Sequence, residues 1–381
     1  TFVFIIFILL SCKQEEEKSI APKINSFDQL ISVFSDPSSE YRSAPFWVWN
    51  KDVSKEDIDR TLTDFKKAGF GGVFLHPRYG LLTEYLSPEW FDLVKYSRDV
   101  AKELGIELWI YDEDSYPSGF AGGHVNEQMP GSYNQGVMLE PHVMSKLSLS
   151  ENQRIKYVFK NIEGKWQNIT DMAPKEIGAS GQYMVFILRD FPKSAWYGGF
   201  SYVDLLVKGV TEKFIDITFT GYKNSVGEDF GKTIPGIFSD EPHTDTDVGG
   251  TVRWSPDLAS CFKDLYGYDL EANMISIIEE TGKWKKVRHD YYSTILDMFI
   301  ERWSVPMSDY CKKNNLSWTG HYWEHGWPSP LKGPDNMAMY AYHQIPGIDL
   351  LYNSEKVRPD QCGNIRSVKE LSSVVNQCGC E

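Results

Sequence analysis

Two adjacent carboxylates, Asp240 and Glu241, follow the apolar run Gly236–Phe238 and precede Pro242. Proline cannot continue a hydrogen-bonded strand, so both side chains are expected at a strand tip. Of two adjacent acids, the more buried one has the higher pKa and can act as a general acid, while the other binds hydroxyls or a metal. Hydrolysis of a glycosidic bond needs such an acid and a second carboxylate across the sugar. A solvated strand end is the alternative interpretation.

A second acidic cluster, Asp112, Glu113 and Asp114, follows the apolar run Trp109–Tyr111. Three carboxylates in a row repel one another unless they are solvated, bind a cation or accept hydrogen bonds from sugar hydroxyls. We therefore predict that Asp112 and Glu113 bind the substrate or calcium and do not catalyse.

Histidine and aromatic side chains follow other apolar runs, and their flat rings suit the faces of sugars, although such rings also build ordinary cores. In the segment Gly320–Trp327, Glu324 is a second-choice catalytic residue beside aromatic rings that could stack on a sugar. A structural loop is the alternative there, and structural roles fit His76 and Arg78 equally well. The other predicted substrate-binding residues are Asp240, Trp49, Asn50, His76, Arg78, His321 and Trp323.

The elements that must position these residues alternate between short apolar runs and amphipathic stretches, which is typical of an α/β protein with a parallel sheet. Helices are predicted at Ser54–Ala68 and Pro88–Leu104, each followed by a glycine. Because the strands end in polar residues, the pattern favours a (β/α)8 TIM-type barrel, with an open doubly wound sheet as the alternative. The predicted strands are Phe46–Trp49, Gly72–His76, Ile106–Asp112, Pro235–Asp240, Leu316–His321 and Ile348–Leu351.

This alternation stops between about residues 125 and 233. Short alternating segments there, at Ile155–Phe159, Tyr183–Leu188 and Phe214–Phe219, predict a β-rich insertion after the third strand. A seventh strand is predicted to begin near Cys378, so the barrel is expected to be incomplete within these residues. Residues 41–381 are accordingly predicted to form a partial barrel catalytic domain.

The composition is that of a folded protein, with 41% hydrophobic and 24% charged residues. The formal net charge is −14 and no basic run interrupts the acidic balance. Nucleic acid is therefore excluded as an expected partner, because phosphate binding needs clustered cations. A neutral glycan is not repelled by such a surface.

The first residues contain the apolar run Phe2–Leu10, which is too short to span a bilayer and has the length of a signal-peptide core. Leu9–Cys12 looks like a bacterial lipobox, in which Cys12 would carry the lipid. We expect residues 1–40 to be a lipoprotein signal peptide and tether, and Cys12 to be the sole membrane attachment. The expected location is the periplasm or the outer-membrane surface, and a frayed apolar end is the alternative.

Several sequence segments taken together resemble the N-terminal part of the barrel in glycoside hydrolase family 106, whose members are inverting α-L-rhamnosidases common in Bacteroidetes. The resemblance runs from about residue 40 to the end of the sequence, and the combination is more specific than any one segment. The segments are Ala44–Asn50, Gly71–Arg78, Tyr79–Ser87, Trp109–Glu113 with Pro117–Gly119, and Phe238–Pro242.

The resemblance implies inverting hydrolysis of plant-type polysaccharide or oligosaccharide by two glutamates on a (β/α)8 barrel, often with calcium near the sugar hydroxyls. By position, Glu241 resembles the general acid and Glu381 the general base, with Glu324 as the fallback. Inversion would place the two carboxyl groups roughly 6.5–9.5 Å apart, which leaves room for the attacking water.

Two other functions are compatible with the sequence. A non-catalytic glycan-binding surface lipoprotein would need aromatic residues such as Trp323 but not Glu241. A metal-dependent esterase or deacetylase would need His76, His243 and His321 to converge, although no paired histidine motif supports it.

Overall fold

The computed structural model describes residues 24–133, 137–326, 328–350 and 364–380, which form a parallel and an antiparallel sheet surrounded by helices. None of the helices in these ranges is both long and apolar enough to span a membrane. The strands are β1 Phe46–Trp49, β2 Gly72–Pro77, β3 Glu107–Tyr111, β4 Met138–Lys146, β5 Ile155–Ile162, β6 Lys165–Asn168, β7 Ser180–Arg189, β8 Gly236–Asp240, β9 Val252–Arg253, β10 Ser317–His321 and β11 Ile345–Pro346. The helices are α1 Phe27–Phe34, α2 Lys55–Lys67, α3 Pro88–Leu104, α4 His124–Gln128, α5 Ala173–Glu176, α6 Val210–Val226, α7 Leu258–Tyr266, α8 Ile275–Ile278, α9 Trp284–Phe299, α10 Val305–Lys313, α11 Asn336–Tyr340 and α12 Asn364–Cys378.

The parallel sheet has the order β1-β2-β3-β8-β10-β11, so its strands lie side by side in the order in which the chain makes them. All of its pairings are parallel, which brings the carboxyl ends of the strands to one edge. The predicted α/β architecture with a parallel sheet is confirmed. The edge formed by the carboxyl ends is where the candidate site lies.

The helices around this sheet begin and end as the sequence predicts. The side chain of Ser54 caps α2 in a capping box with Asp57. Pro88 occupies the first turn of α3, and Gly105 ends that helix in the left-handed conformation with φ of 62°. Local signals therefore determine both boundaries.

Two strand predictions near the end of the chain are wrong. The sixth strand lies at Ile345–Pro346 and not at Ile348–Leu351, of which residue 351 is outside the described residues. The shift has a steric reason: Gly347 lies so close to β10 that an added Cβ would be 2.7 Å from the Gly320 carbonyl oxygen. At Cys378, where a seventh strand was predicted to begin, α12 ends instead.

The antiparallel sheet has the order β6-β5-β7-β4-β9, and four of its five strands lie within the predicted insertion. The predicted segment Phe214–Phe219 is not one of them, because it lies in α6. That helix buries residues at a spacing of four, which is a helical period that a short alternating run concealed. The buried residues at this spacing are Val210, Phe214, Thr218, Tyr222 and Val226.

The structure describes only the last part of the predicted tether of residues 1–40. Residues 1–23, which include Cys12, lie outside the described residues. Residues 27–34 form α1, whose first turn is capped by Ser26, and Ser39 donates a hydrogen bond of 2.9 Å to the Gly105 carbonyl. This hydrogen bond joins the segment before β1 to the end of α3.

The close approach of β8 and β10 gives a testable prediction. Gly320 has φ of 134°, and an added Cβ would lie 2.0 Å from the Ser239 carbonyl oxygen. Gly320→Ala should therefore lower the free energy of unfolding by about 2–5 kcal/mol, from backbone strain and overpacking together.

The measurement is urea unfolding followed by tryptophan fluorescence. Gly105→Ala is the matched control, because its φ is also positive but no atom lies within 4 Å of the added Cβ. The control should lose only about 1–2 kcal/mol. Equal losses in the two variants would contradict the steric explanation.

Candidate active site

The ends of β8 and β10 place Asp240 beside His321, which are partners in the parallel register. His321 Nε2 lies 2.9 Å from Asp240 Oδ1, and the Tyr111 hydroxyl donates to Asp240 Oδ2 at 2.5 Å. Burial raises the pKa of the Asp240 carboxyl, but the hydrogen bond and charge of His321 outweigh burial and hold the pKa below its ordinary value. Asp240 is therefore a buried carboxylate anion.

His321 lies between two carboxylates. Its Nδ1 donates to the Tyr322 carbonyl at 3.0 Å and is 3.6 Å from Glu324 Oε1. Burial lowers the pKa of the imidazole, yet hydrogen bonds and charges from Asp240 and Glu324 raise it well above its ordinary value. Both ring nitrogens of His321 therefore face acceptor oxygens, and the two carboxylates favour its protonated form.

Glu324 is fully buried and has other partners within the protein. The Tyr340 hydroxyl donates to Glu324 Oε2 at 2.8 Å, and the backbone N–H of Asp349 donates to its Oε1. We therefore reassign Glu324 from a fallback catalytic residue to a support for His321. The predicted base Glu381 lies outside the described residues.

Glu241 follows Asp240 at the tip of β8 and is buried. Its φ is 48°, an uncommon left-handed conformation for a residue other than glycine. Its backbone N–H donates to the His321 carbonyl at 3.2 Å, and Trp323 Nε1 donates to the Glu241 carbonyl at 3.1 Å. Burial raises the pKa of the Glu241 carboxyl to about 7; the charge of His321 opposes this rise and that of Asp240 adds to it. The neighbouring acids Asp240 and Glu241 thus have pKa values shifted in opposite directions.

Asp112 accepts hydrogen bonds from two serine hydroxyls. Ser118 Oγ donates to its Oδ1 at 2.5 Å, and Ser239 Oγ donates to its Oδ2 at 2.6 Å. Each serine oxygen also accepts an N–H, from the Asp240 backbone and from Trp318 Nε1 respectively. Asp112 therefore fixes the serines that hold the tip of β8.

Glu113 is also fully buried, and its carboxylate is surrounded by backbone N–H groups of the following loop. Burial raises the pKa of the Glu113 carboxyl, and the N–H donors act against that rise. Because the oxygens of Asp112 and Glu113 are used inside the protein, we reassign both residues from substrate binding to structure. The donors to Glu113 are the N–H groups of Asp114, Gly119, Phe120, Ala121 and Gly122.

Trp49 and Asn50, the predicted site residues at the end of β1, are not part of the Asp240–His321 pair. Trp49 is 1% exposed and packs edge-to-face on Trp47 and Trp90, at centroid distances of 5.1 and 5.3 Å. It is a core residue with no free face for a sugar, so we withdraw its predicted substrate contact. Asn50 is exposed beyond β1, with its carbonyl against Gly80.

His76 and Trp323 flank the pair. The His76 ring stacks on Tyr111 at 3.7 Å, and burial followed by the charge of Arg78 lowers the His76 pKa to about 4. Trp323 is half-buried under Lys332, whose Nζ is 4.3 Å from the ring centroid. The His76 and Trp323 rings are therefore uncharged groups beside the Asp240–His321 ion pair.

One group of described side chains could share a metal ion, namely Asp240, Glu241 and His321, whose ligand atoms lie within 4.8 Å of one another. Calcium takes six to eight oxygen ligands. This group offers one nitrogen, and Asp240 and His321 already bond to each other, so it does not form a calcium cage. The three histidines that an esterase would need do not form the possible metal group, which contains only His321 of the three. His243 stacks instead on Tyr202, at a ring-centroid distance of 4.6 Å.

Tyr111, Ser118 and Ser239 were not among the predicted site residues. In the sequence, Tyr111 is the last residue of the apolar run that forms β3. Strand alternation places its side chain on the same face as that of Trp109. A tyrosine at a strand tip was thus a usable signal. The sequence contains no comparable signal for the two serines. Their hydrogen bonds to Asp240 and Asp112 join residues that are 122 and 127 positions apart.

The directions of these bonds give a second prediction. In Asp112→Asn, the amide group would present a donor to one serine that is itself a donor, and that bond would be lost. The free energy of unfolding should fall by about 1–3 kcal/mol, measured by urea unfolding. The exposed Asp64→Asn serves as the control and should change it by less than about 0.5 kcal/mol; a similar effect in both variants would refute the bond directions.

Comparison with known proteins finds one curated relative and a solved structure with a similar fold. No family model matches the chain. A curated relative in Formosa agariphila, named "Putative beta-glucuronidase", is 21% identical over 402 residues, covering 86% of this chain and 32% of the relative. The structure of a rhamnosidase from Novosphingobium sp. PP1Y matches with a TM-score of 0.63 at 14% identity, covering 93% of this chain and 52% of that one. The chain thus spans about a third and a half of these two proteins, and it shares the fold of a rhamnosidase.

Proposed function

We propose that this chain contributes the catalytic site of a glycoside hydrolase, an inverting α-L-rhamnosidase acting on plant-type polysaccharide or oligosaccharide. The observation that carries the proposal is the opposite pKa shift of two neighbouring carboxyl groups: the pKa of Asp240 lies below its ordinary value, whereas burial raises that of Glu241 to about 7. The shared fold with a rhamnosidase supports it, and so does the curated relative, whose name is also that of a glycosidase.

The parallel sheet, on this proposal, is one part of a (β/α)8 barrel. Its strands follow one another in chain order, which is the arrangement of a barrel wall. Its candidate residues lie at the carboxyl ends of the strands, where barrel enzymes hold their active sites. The segments shared with glycoside hydrolase family 106 are consistent with the same architecture.

In the proposed reaction, Glu241 donates its proton to the glycosidic oxygen as the bond to the anomeric carbon breaks. A second carboxylate takes a proton from the water that attacks the opposite face, which inverts the anomeric configuration. We retain Glu381 as the proposed base. Asp240, fixed by Tyr111 and His321, keeps negative charge beside Glu241 and so favours the protonated acid before the reaction.

A glycan-binding protein without catalysis is the second candidate. The opposite pKa shifts of Asp240 and Glu241 at one strand tip favour the catalytic candidate, because a general acid needs a proton to donate near neutral pH. The lipid anchor at Cys12, the location in the periplasm or at the outer-membrane surface, and a calcium ion also remain proposals that rest on the sequence and its resemblance.

Replacing the proposed acid tests the mechanism. Glu241→Gln in the full-length protein should lower kcat/KM for a rhamnosyl disaccharide by about 10²–10⁴-fold, because the leaving alkoxide needs a proton. The loss should be clearly smaller with p-nitrophenyl α-L-rhamnoside, whose leaving group is stable as an anion. A panel of other aryl glycosides, including a β-glucuronide, identifies the sugar.

The control for this test is Glu151→Gln, an exposed glutamate in the loop before β5. Equal losses on both leaving groups would show that Glu241 is not the acid. No release of any sugar by the wild type would overturn the hydrolase proposal. Proton NMR of the first-formed sugar reports whether the configuration is inverted.

The pH dependence follows from the protonated form that the reaction needs. Because the pKa of Glu241 is raised to about 7, the active form is present below that value and is lost as the pH rises through it. The pH profile of kcat/KM, which reports the free enzyme, should therefore have a falling limb near pH 7. A profile that stays flat to pH 9 would contradict the assignment.

A further inference from the structure

Arg78 is a cation at the candidate site with no carboxylate partner among the residues that the structure describes. It follows β2 directly and is half-buried. Its Nη1 donates to His76 Nε2 at 3.2 Å, which is the hydrogen bond that its guanidinium makes within the described ranges. His76 is neutral, since its pKa is lowered to about 4 by burial and by Arg78 itself. The charge of Arg78 is therefore not balanced by its neighbours.

Two aromatic rings hold the guanidinium in place. Its Cζ lies 4.9 Å from the Tyr116 ring centroid and 6.0 Å from that of Trp196. The rings fix each other, because they pack edge-to-face at 5.3 Å and Trp196 Nε1 donates to the Tyr116 carbonyl. Tyr79, which is 72% exposed, stacks beyond Trp196 at 6.3 Å. Together Tyr79, Tyr116 and Trp196 form an aromatic surface beside the charge.

This group is connected to the proposed catalytic centre by direct contacts. Arg78 bonds to His76, His76 stacks on Tyr111 at 3.7 Å, and Tyr111 donates to Asp240 at 2.5 Å. Arg78 therefore lies at the same edge of the sheet as Glu241. Two side chains, His76 and Tyr111, stand between Arg78 and Asp240 in this series of contacts.

A purely structural role would leave most N–H donors of the Arg78 guanidinium without a function. Cation–π contacts at partly exposed sites stabilise a protein by about 0.5–1 kcal/mol, and lysine could make them as well. Arginine has five donors in a rigid fork that matches the oxygens of a carboxylate or a sulfate. Within the described residues, one of those donors is used.

We propose that Arg78, with the rings of Tyr116 and Trp196, binds the negative group of an acidic sugar, a carboxylate or a sulfate ester, next to the bond that is cleaved. This inference rests on the proposed function and narrows its substrate class. The net charge of −14 repels anionic glycans, so an acidic substrate needs a local cation for recognition. The aromatic surface supplies the apolar contact for the ring of that sugar.

The test uses three disaccharides whose released sugar is the one identified with the aryl glycosides. The second sugar is a glucuronate, its methyl ester, or a glucose 6-sulfate, and the readout is the ratio of kcat/KM for each anion to that for the ester. The full-length wild type should prefer an anion by about 10- to 100-fold, as expected for a charge-assisted bond. Whether the glucuronate or the sulfate is preferred identifies the anion.

Arg78→Gln should bring that ratio close to one, and Arg78→Lys should give an intermediate ratio because it keeps the charge but not the fork. Arg60→Gln, which removes an exposed arginine paired with Asp57, is the charge-matched control and should keep the wild-type ratio. A wild type that cleaves all three substrates equally, or an unchanged ratio in Arg78→Gln, overturns the inference. Either result would leave the hydrolase proposal standing, whereas a wild type that releases no sugar from any aryl glycoside would refute the hydrolase proposal and remove the basis of this inference.

Discussion

The buried ion pair between Asp240 and His321 is the interaction on which the candidate site depends. Two charges removed from water are costly unless hydrogen bonds satisfy their remaining polar atoms. Tyr111 satisfies Asp240, and Tyr322 and Glu324 satisfy His321. The pair joins the tips of two neighbouring strands and fixes a negative charge beside Glu241. Burial raises the pKa of Glu241 beside this pair, and the charges of His321 and Asp240 act on it in opposite directions.

Much of the fold could be predicted because its signals are local. The capped start of α2 and the glycine that ends α3 lie within a few residues of the boundaries they define. The position of β11 could not be predicted in this way. It depends on Gly347 meeting Gly320, a contact between segments that the sequence does not connect locally. Likewise, the helical period of α6 outweighed a six-residue alternation, and only the longer window would have shown it.

The site was predictable to the extent that strand tips determine it. Asp240, Glu241 and His321 were identified because each follows an apolar run, and they do lie together. The same reasoning failed for Asp112 and Glu113, which also follow a strand. Their surroundings differ because the next loop folds back and directs its N–H groups at Glu113, while two serines direct their hydroxyls at Asp112. Whether an acid at a strand tip faces solvent or its own loop is a property of the folded chain.

The inserted antiparallel sheet has a consequence for how the protein acquires its site. The bond between Tyr111 and Asp240 joins residues 129 positions apart, and the intervening chain includes β4 to β7 and α6. Closing such a long loop has an entropic cost that falls when the intervening segment is already compact. Assembly of β3 against β8 should therefore come late in folding, after the inserted sheet has formed. The chain would then hold no reactive pair of carboxyl groups until most of its core is complete.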